Sequence, residues 1–398
     1  MEAPLLRGSA LLFGGAAVGN IGHYLFQMYM SRNLGVEDFG ALNSLLSLLA
    51  LISIPSGTIF LVTARQVAEF GPRHDVTGAF FRATLAKVSV GVASLLFLSG
   101  VLSPHVGRFL RVPSPLPVLI LAGVVAVTLI TSAGLGVLQG LRKFLHLALN
   151  QGLAGLLRLA FGVVLVPYGL NGALMATLLS ATVVWGISLV PLRKFMKGGG
   201  GYRIDLDLRA WAPVTGALSC FALLTNADLI LVKHYFRPEM AGMYSAASVL
   251  GKALLLLPMS VAMALFPLVP GSSEVTSRRT AGMAVGLAVM GLGFGTAVFL
   301  LVPGPALGLV FGRAYSDAGE VLRWFGLAAP PYGLAYVLMH YHIARWRYKF
   351  LYPMVIACAA ELALIGKFHG SLLQVARSFA GVGYGLLLGL WVAHLSRW

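Results

Sequence analysis

Six charged residues inside long apolar segments of the sequence are candidates for chemistry: Lys87, Arg158, Lys252, Asp228, Glu361 and Arg377. A charge in hydrocarbon is costly unless it is paired or hydrated, so each of them needs a physical reason. Lys87, Arg158 and Lys252 fall near the middle of their segments. The guanidinium of Arg158 can hold phosphate oxygens through two parallel hydrogen bonds and keeps its charge when partly buried. The three cations predict a path for an anion, with structural ion pairs or wet helix flanks as the alternative.

Asp228, Glu361 and Arg377 form a second group because they share a depth. Each lies about six residues from the outer end of its apolar segment, which is ~9 Å at the rise of a helix. One hypothesis is a protonatable or cation-binding pair of acids that couples H⁺ or Na⁺ entry to conformational change. The alternative is a structural salt bridge in which Arg377 neutralises one acid, as low dielectric favours.

A polar stripe runs along the first apolar segment. Asn20, His23 and Gln27 recur every three or four residues, so they share one helix face. That face predicts either the wall of a sugar-binding cavity or hydrogen bonds between helices. Arg65, at the inner end of the second segment, is a candidate for meeting a phosphate at the cytoplasmic leaflet, or else a marker of topology. His340 and His342 have no acidic or cysteine partner nearby, so no metal or cofactor site is predicted.

The elements that must position these residues are membrane-spanning helices. Of the 398 residues 58% are hydrophobic and 11% charged, and the mean hydropathy is +0.86. These values exclude a water-soluble enzyme and a nucleic-acid-binding domain. Apolar windows predict an all-α polytopic protein with about twelve transmembrane helices, near 9–31, 41–64, 78–102, 116–140, 145–166, 172–192, 211–234, 241–268, 281–302, 324–344, 350–367 and 372–395.

The basic residues predict the orientation of these helices. Of 29 Lys and Arg, seventeen fall on one side of the predicted membrane, eight on the other and four within spans. Because cytoplasmic loops are enriched in Lys and Arg, both termini are expected in the cytoplasm and the protein in the inner membrane, among its lipids. The net charge of +16 is therefore interpreted as topology and cavity lining, with no nucleic acid as partner.

The chain divides into two similar halves in this prediction. A glycine run flanked by charges in 193–210 predicts a cytoplasmic linker between a six-helix half at 1–192 and another at 211–398. Glu37 and Gly40 after the first span correspond to Glu239 and Gly242 after the seventh, and a proline follows each pair at a similar distance. Two six-helix repeats with a substrate path between them are a common transporter architecture. Chance similarity in an apolar sequence is the alternative.

The same residues resemble a known family. Leu34-Gly-Val-Glu-Asp-Phe-Gly40 is similar to the LGxxxFG turn of the polysaccharide-biosynthesis flippases, the Wzx-like branch of the superfamily that includes MATE exporters and lipid II flippases. Asn226-Ala-Asp228, with Pro238-Glu-x-x-Gly242-x-Tyr244-Ser-x-Ala247, resembles the seventh span of that family and its following turn. Phe311-Gly-Arg-Ala-Tyr315-x-x-Ala318 resembles the segment before its tenth span.

The resemblance implies a MATE/flippase-like fold and a function. Members carry undecaprenyl-diphosphate-linked oligosaccharides to the periplasmic leaflet, so a lipid-linked oligosaccharide is the implied substrate. The alternative is a MATE-type cation-coupled multidrug exporter, which the excess of Lys and Arg at mid-membrane disfavours. A membrane glycosyltransferase or ligase would need paired acids and large loops, whereas the connections here are short, so no enzyme is predicted.

Overall fold

The structure is a computed structural model, which describes residues 2–70, 73–197, 208–259, 274–345 and 348–395. These residues contain α-helices and short 3-10 turns, and no strand. The helices of eight or more described residues are α1 Glu2–Asn33, α2 Val36–Ile52, α3 Ile54–Phe70, α4 His74–Phe109, α5 Leu116–Gly140, α6 Phe144–Leu165, α7 Gly169–Leu189, α8 Leu208–Tyr235, α9 Pro238–Ala253, α10 Glu274–Leu301, α11 Pro303–Val310, α12 Gly319–Ala344, α13 Leu351–Lys367 and α14 Leu372–Leu395.

Each predicted span overlaps a helix, and the spans at 116–140 and 372–395 coincide with α5 and α14. The span at 41–64 is instead divided between α2 and α3. It breaks at Ser53, two residues before Pro55, whose ring nitrogen cannot donate the next helical hydrogen bond. The short helix α11 was not predicted, and it is bent by 98° from the end of α10. Parts of the predicted spans and linker, 198–207 and 260–268, lie outside the described residues.

Seven helical stretches among the described residues are long and apolar enough to cross a membrane, or eight if the bent pair of α10 and α11 is one span. This number is below twelve partly because α6 and α7 form one stretch of 53 residues, Phe144–Met196. The architecture is that of an all-α protein built from apolar helices.

The chain forms two compact units. The first contains Met1–Leu34 and Leu48–Thr215, and the second contains Gly35–Ser47 and Gly216–Trp398. Within the first, α1 packs on α6, α6 packs on α7, and α5 packs on α3, α4 and α7. Within the second, α12 packs on α9, α10 and α14, and α13 packs on α14.

Residues 35–47 lie in the second unit although they fall in the predicted half 1–192. The reason is a close approach of α2 and α9 at two repeat-related glycines. A Cβ on Gly40 would lie 2.7 Å from the backbone nitrogen of Gly242, and a Cβ on Gly242 would collide with the carbonyl oxygen of Val36. Phe39 adds ring contacts to Phe311 and Tyr315, with centroids 5.7 and 5.6 Å apart. The glycines predicted to admit a neighbouring helix thus contact each other.

Candidate functional site

Close packing of α1 and α6 in the first unit positions Arg158. A Cβ on Gly15 or Gly19 would collide with a carbonyl oxygen of α6, and a Cβ on Gly155 would collide with that of Gly19. Such small-residue faces let two membrane helices approach at backbone distance. Arg158, one turn beyond Gly155, is therefore held directly against α1.

The Arg158 guanidinium has no anionic partner among the described residues. Its central carbon lies 4.3 Å from the centre of the Phe26 ring, a cation–π contact. Its Nε and Nη2 atoms are buried and form no hydrogen bond. His23 interacts electrostatically with the guanidinium, and the Nδ1 atom of His23 is also buried and unbonded. Within the described parts of the chain, Arg158 is thus a positive charge without a counter-ion.

The other predicted residues of the first unit lie in different settings. Asn20 and Gln27 are half-buried on α1, within about a turn of His23. Lys87 is exposed on α4, and no described residue is hydrogen-bonded to it. Arg65 is exposed on α3 and pairs with Glu69, Nε to Oε1 2.9 Å. The structure therefore does not gather Arg65 and Lys87 with Arg158 into one buried cluster, because they extend from the outer faces of other helices.

Asp228 of α8 is the centre of a buried cluster in the second unit. Its side chain is fully buried. The Lys252 ammonium donates to Oδ1 at 2.7 Å and to Oδ2 at 2.8 Å. The Tyr244 and Ser248 hydroxyls also donate to Oδ2, at 3.1 and 3.3 Å. Four hydrogen bonds thus compensate the carboxylate for the water it has lost.

Lys252 was predicted to line an anion path or, as the alternative, to form a structural ion pair, and in the structure it is paired. Besides the pair with Asp228, its ammonium lies 5.5 and 5.1 Å from the ring centres of Phe325 and Phe379. Tyr332 lines the same gap as these two rings. Lys252, whose side chain is 15% exposed, is therefore paired with an acid in aromatic surroundings.

Glu361 of α13 is the second acid of the cluster. It is fully buried, and neither carboxylate oxygen forms a hydrogen bond with a described residue. It interacts electrostatically with both Asp228 and Lys252. Arg377, the predicted neutralising cation, is instead exposed on α14, with its guanidinium 5.2 Å from the ring centre of Trp324. The structure thus gives Asp228 a partner, but that partner is Lys252 rather than Arg377.

Tyr244, Ser248 and Lys252 carried a signal that the sequence reasoning missed. They are spaced four residues apart, so they lie on one face of α9. A polar face of three residues in an apolar helix predicts a polar partner on a neighbouring helix, and that partner is Asp228.

Comparison with known proteins identifies the fold. No protein-family model and no curated protein matches the chain. Among solved structures, the lipid II flippase MurJ in an inward closed conformation has a TM-score of 0.74 at 14% identity, over 98% of this chain and 87% of that one. An inward-facing multidrug resistance MATE family transporter of the MOP superfamily has a TM-score of 0.75 at 13% identity, over 96% and 93%.

A third structure, the MATE multidrug transporter DinF-BH, has a TM-score of 0.72 at 14% identity, over 99% of this chain and 95% of that one. At such identities the likeness is one of fold. The chain therefore has the all-α fold of MATE transporters and MurJ along nearly its whole length.

Proposed function

We propose that this protein is a membrane transporter that moves an undecaprenyl-diphosphate-linked oligosaccharide from the cytoplasmic to the periplasmic leaflet by alternating access. The observation that carries the proposal is the buried guanidinium of Arg158, which has no counter-ion among the described residues. An uncompensated charge in a membrane helix is expensive and is retained where function requires it. An anionic substrate would supply the missing charge.

The chemistry of Arg158 suits a diphosphate. Its Nε and Nη2 atoms lie on one edge of the planar guanidinium, where two parallel hydrogen bonds to phosphate oxygens can form. Gln27 and Asn20 on the facing helix are candidate ligands for sugar or phosphate oxygens, and Arg65 and Lys87 for the approach from the membrane surface. The fold supports this proposal, since one structure that shares it is a lipid II flippase.

The proposal includes an arrangement in the membrane. The excess of basic residues on one side favours both termini in the cytoplasm and the chain in the inner membrane. The predicted six-helix halves 1–192 and 211–398, joined by the linker 193–210, would provide the two bodies of an alternating-access cycle. The function needs no reaction at a covalent bond, so the protein is proposed not to be an enzyme.

Multidrug export of the MATE type is the second candidate. The same fold occurs in MATE transporters. The buried acids Asp228 and Glu361 are the observation that favours it, because acids in a membrane protein are suited to cation coupling. Against it, Lys252 already neutralises Asp228, and the unpaired Arg158 would repel a cationic drug.

Deletion of the gene followed by lipid analysis tests the proposal. The deletion strain should accumulate undecaprenyl-diphosphate oligosaccharide on the cytoplasmic leaflet, and the wild-type gene should clear it. Arg158→Met should fail to clear it because it lacks the positive charge, and Arg158→Lys should clear it partly because it lacks the second parallel hydrogen bond.

Arg377→Met is the matched control. Arg377 is exposed, and its guanidinium lies over an aromatic ring, as the guanidinium of Arg158 does. It should clear the lipid as the wild type does. Unchanged lipid pools in the deletion strain, together with new sensitivity to cationic dyes, would overturn the proposal in favour of drug export.

A further inference from the structure

We infer that Lys252 supplies the positive charge that balances the buried acid cluster of the second unit. The cluster therefore exchanges a proton at Glu361 and does not take up a metal cation. This inference rests on the proposed function as a transporter and specifies how its cycle is coupled. It is carried by the geometry of Asp228, Lys252 and Glu361.

Asp228 offers no vacancy for a metal ion. A hard cation needs several oxygen ligands, usually including a carboxylate. Both carboxylate oxygens of Asp228 accept from the Lys252 ammonium, at 2.7 and 2.8 Å, and Oδ2 also accepts from Tyr244 and Ser248. A metal ion would have to displace the ammonium or lie beside it. The gap next to Lys252 is lined mainly by side chains without oxygen, among them Leu255, Phe325 and Phe379, which offer no ligand to a hard cation.

Glu361 is the third ionisable group of the cluster, and its protonation state decides the net charge of the cluster. With Asp228 and Lys252 both ionised, their charges cancel, and an ionised Glu361 would leave one buried negative charge. Neither oxygen of Glu361 has a hydrogen-bond donor among the described residues that would stabilise that charge. A proton on Glu361 makes the cluster neutral, which is the cheaper state in a low dielectric.

The other groups around Glu361 are either paired or neutral, so Glu361 is the proton carrier of the cluster. Those that interact with it are Asp228 of α8, Lys252 and Tyr244 of α9, Tyr332 of α12 and Cys358 of α13. Phenols and thiols are neutral at physiological pH in apolar surroundings. Cys358 is further engaged with Cys220 of α8, where its Sγ lies 3.5 Å from the carbonyl oxygen. Among the described residues, the charges near Glu361 are thus those of the Asp228–Lys252 pair.

Release of the proton would favour a movement of Lys252 within the cluster. When the O–H bond of Glu361 breaks and the proton passes to water, the cluster gains a negative charge that attracts the Lys252 ammonium. Lys252 lies in the last turn of α9, directly before the helix is interrupted at Leu254 and Leu255, ahead of Pro258. A shift of Lys252 from Asp228 toward Glu361 would therefore act on a point where the helix is already interrupted.

Infrared spectroscopy of the purified full chain tests the proton on Glu361. The wild type at neutral pH should show the C=O band of a buried protonated carboxylic acid, and Glu361→Gln should lose it. Glu320→Gln is the matched control, because Glu320 is an exposed glutamate paired with Arg323, and it should keep the band. A wild-type spectrum without this band would overturn the inference.

Thermal unfolding in NaCl against choline chloride at equal ionic strength tests the role of Lys252. The wild type and Glu361→Gln should show no Na⁺-specific change in Tm. Lys252→Met leaves two acids without a cation, so Na⁺ should raise its Tm by at least about 2 °C. A Na⁺-specific rise in the wild type that Glu361→Gln abolishes, or no response in Lys252→Met, would contradict the inference.

The two measurements do not depend on each other or on transport. If Lys252→Met does not accumulate in membranes, the infrared test with Glu361→Gln still decides whether the cluster holds a proton. Neither experiment needs a substrate. Failure of the proposed function, seen as unchanged lipid pools, therefore remains distinguishable from failure of the proton site.

Discussion

Arg158 in the first unit and Lys252 in the second are both basic residues near the middle of a predicted apolar span, yet their surroundings in the structure are opposite. Lys252 is bound by both oxygens of Asp228. Arg158 contacts the Phe26 ring and has no acid among the described residues, and two of its nitrogens are unbonded. A neutralised charge can serve as part of the internal structure, whereas in the proposed function the substrate supplies the counter-ion of Arg158. Equal depth in the sequence therefore does not imply equal function.

The supports of the two residues differ as well. In the first unit, backbone contact through glycines holds α6 against α1. In the second, side chains hold α8, α9 and α12 together: Tyr244 donates to Asp228, and its ring lies 5.4 Å from that of Phe325. Substitutions in the packing that supports Arg158 should consequently act through shape, and those in the packing that supports Lys252 through charge and hydrogen bonding.

Loss of the Asp228 carboxylate should have the largest effect on stability. Asp228→Ala leaves the Lys252 ammonium without its anion, and breaking a buried pair costs about 3–5 kcal/mol. We expect a strong fall in Tm and in the amount of protein in the membrane. The double variant Asp228→Asn with Lys252→Met removes both charges and should recover most of the loss. If the double and single variants are equally unstable, neutralisation of Lys252 by Asp228 is not the source of the lost stability.

Widening the contact between α1 and α6 should have the next largest effect. The Cβ of Gly155→Ala would collide with the carbonyl oxygen of Gly19, so the helices must separate, at about 1–3 kcal/mol. Gly91→Ala is the matched control, because a Cβ on Gly91 meets nothing within 4 Å. Thermal unfolding should show a lower Tm for Gly155→Ala alone. Equal Tm values would contradict the close approach.

Removal of the charge on Arg158 should stabilise the protein, the reverse of the effect at Asp228. Arg158→Met keeps an apolar chain beside Phe26 and removes unbonded buried donors, whose cost is about 1–3 kcal/mol. We expect a higher Tm with loss of transport, a trade-off typical of functional sites. A lower Tm would mean that Arg158 has a structural partner, and the contrast with Lys252 would disappear.

The sequence predicted the elements of this fold better than the contacts of its charged residues. Helices such as α5 and α14 follow from long apolar runs bounded by polar turns, a local property of the chain. The break of α2 at Ser53 was harder to place, because membrane helices tolerate proline and bend at a point that packing selects. The two glycines of the predicted repeat were identified, but their mutual contact is a property of the folded structure.

The depth of a charged residue along its helix does not predict which other charged residue it pairs with. Asp228, Glu361 and Arg377 share a depth, yet Arg377 faces outward over Trp324. Lys252 lies deeper along its helix, but its long side chain reaches the acid. Helix rotation selects which of two cations meets an acid, and tertiary packing sets that rotation.

The ion pair of Arg65 and Glu69 should have the smallest effect and sets the scale for the others. It is a helical i, i+4 pair whose side chains are about half exposed, 49% and 54%. Exposed pairs of this kind contribute well under about 1 kcal/mol, so Arg65→Ala should barely change the Tm. Its effect on transport then has a clear interpretation: a slower rate at unchanged stability would assign Arg65 to the approach of the anionic substrate. An unchanged rate would leave it as a topology charge and confine the proposed substrate contacts to the region of Arg158.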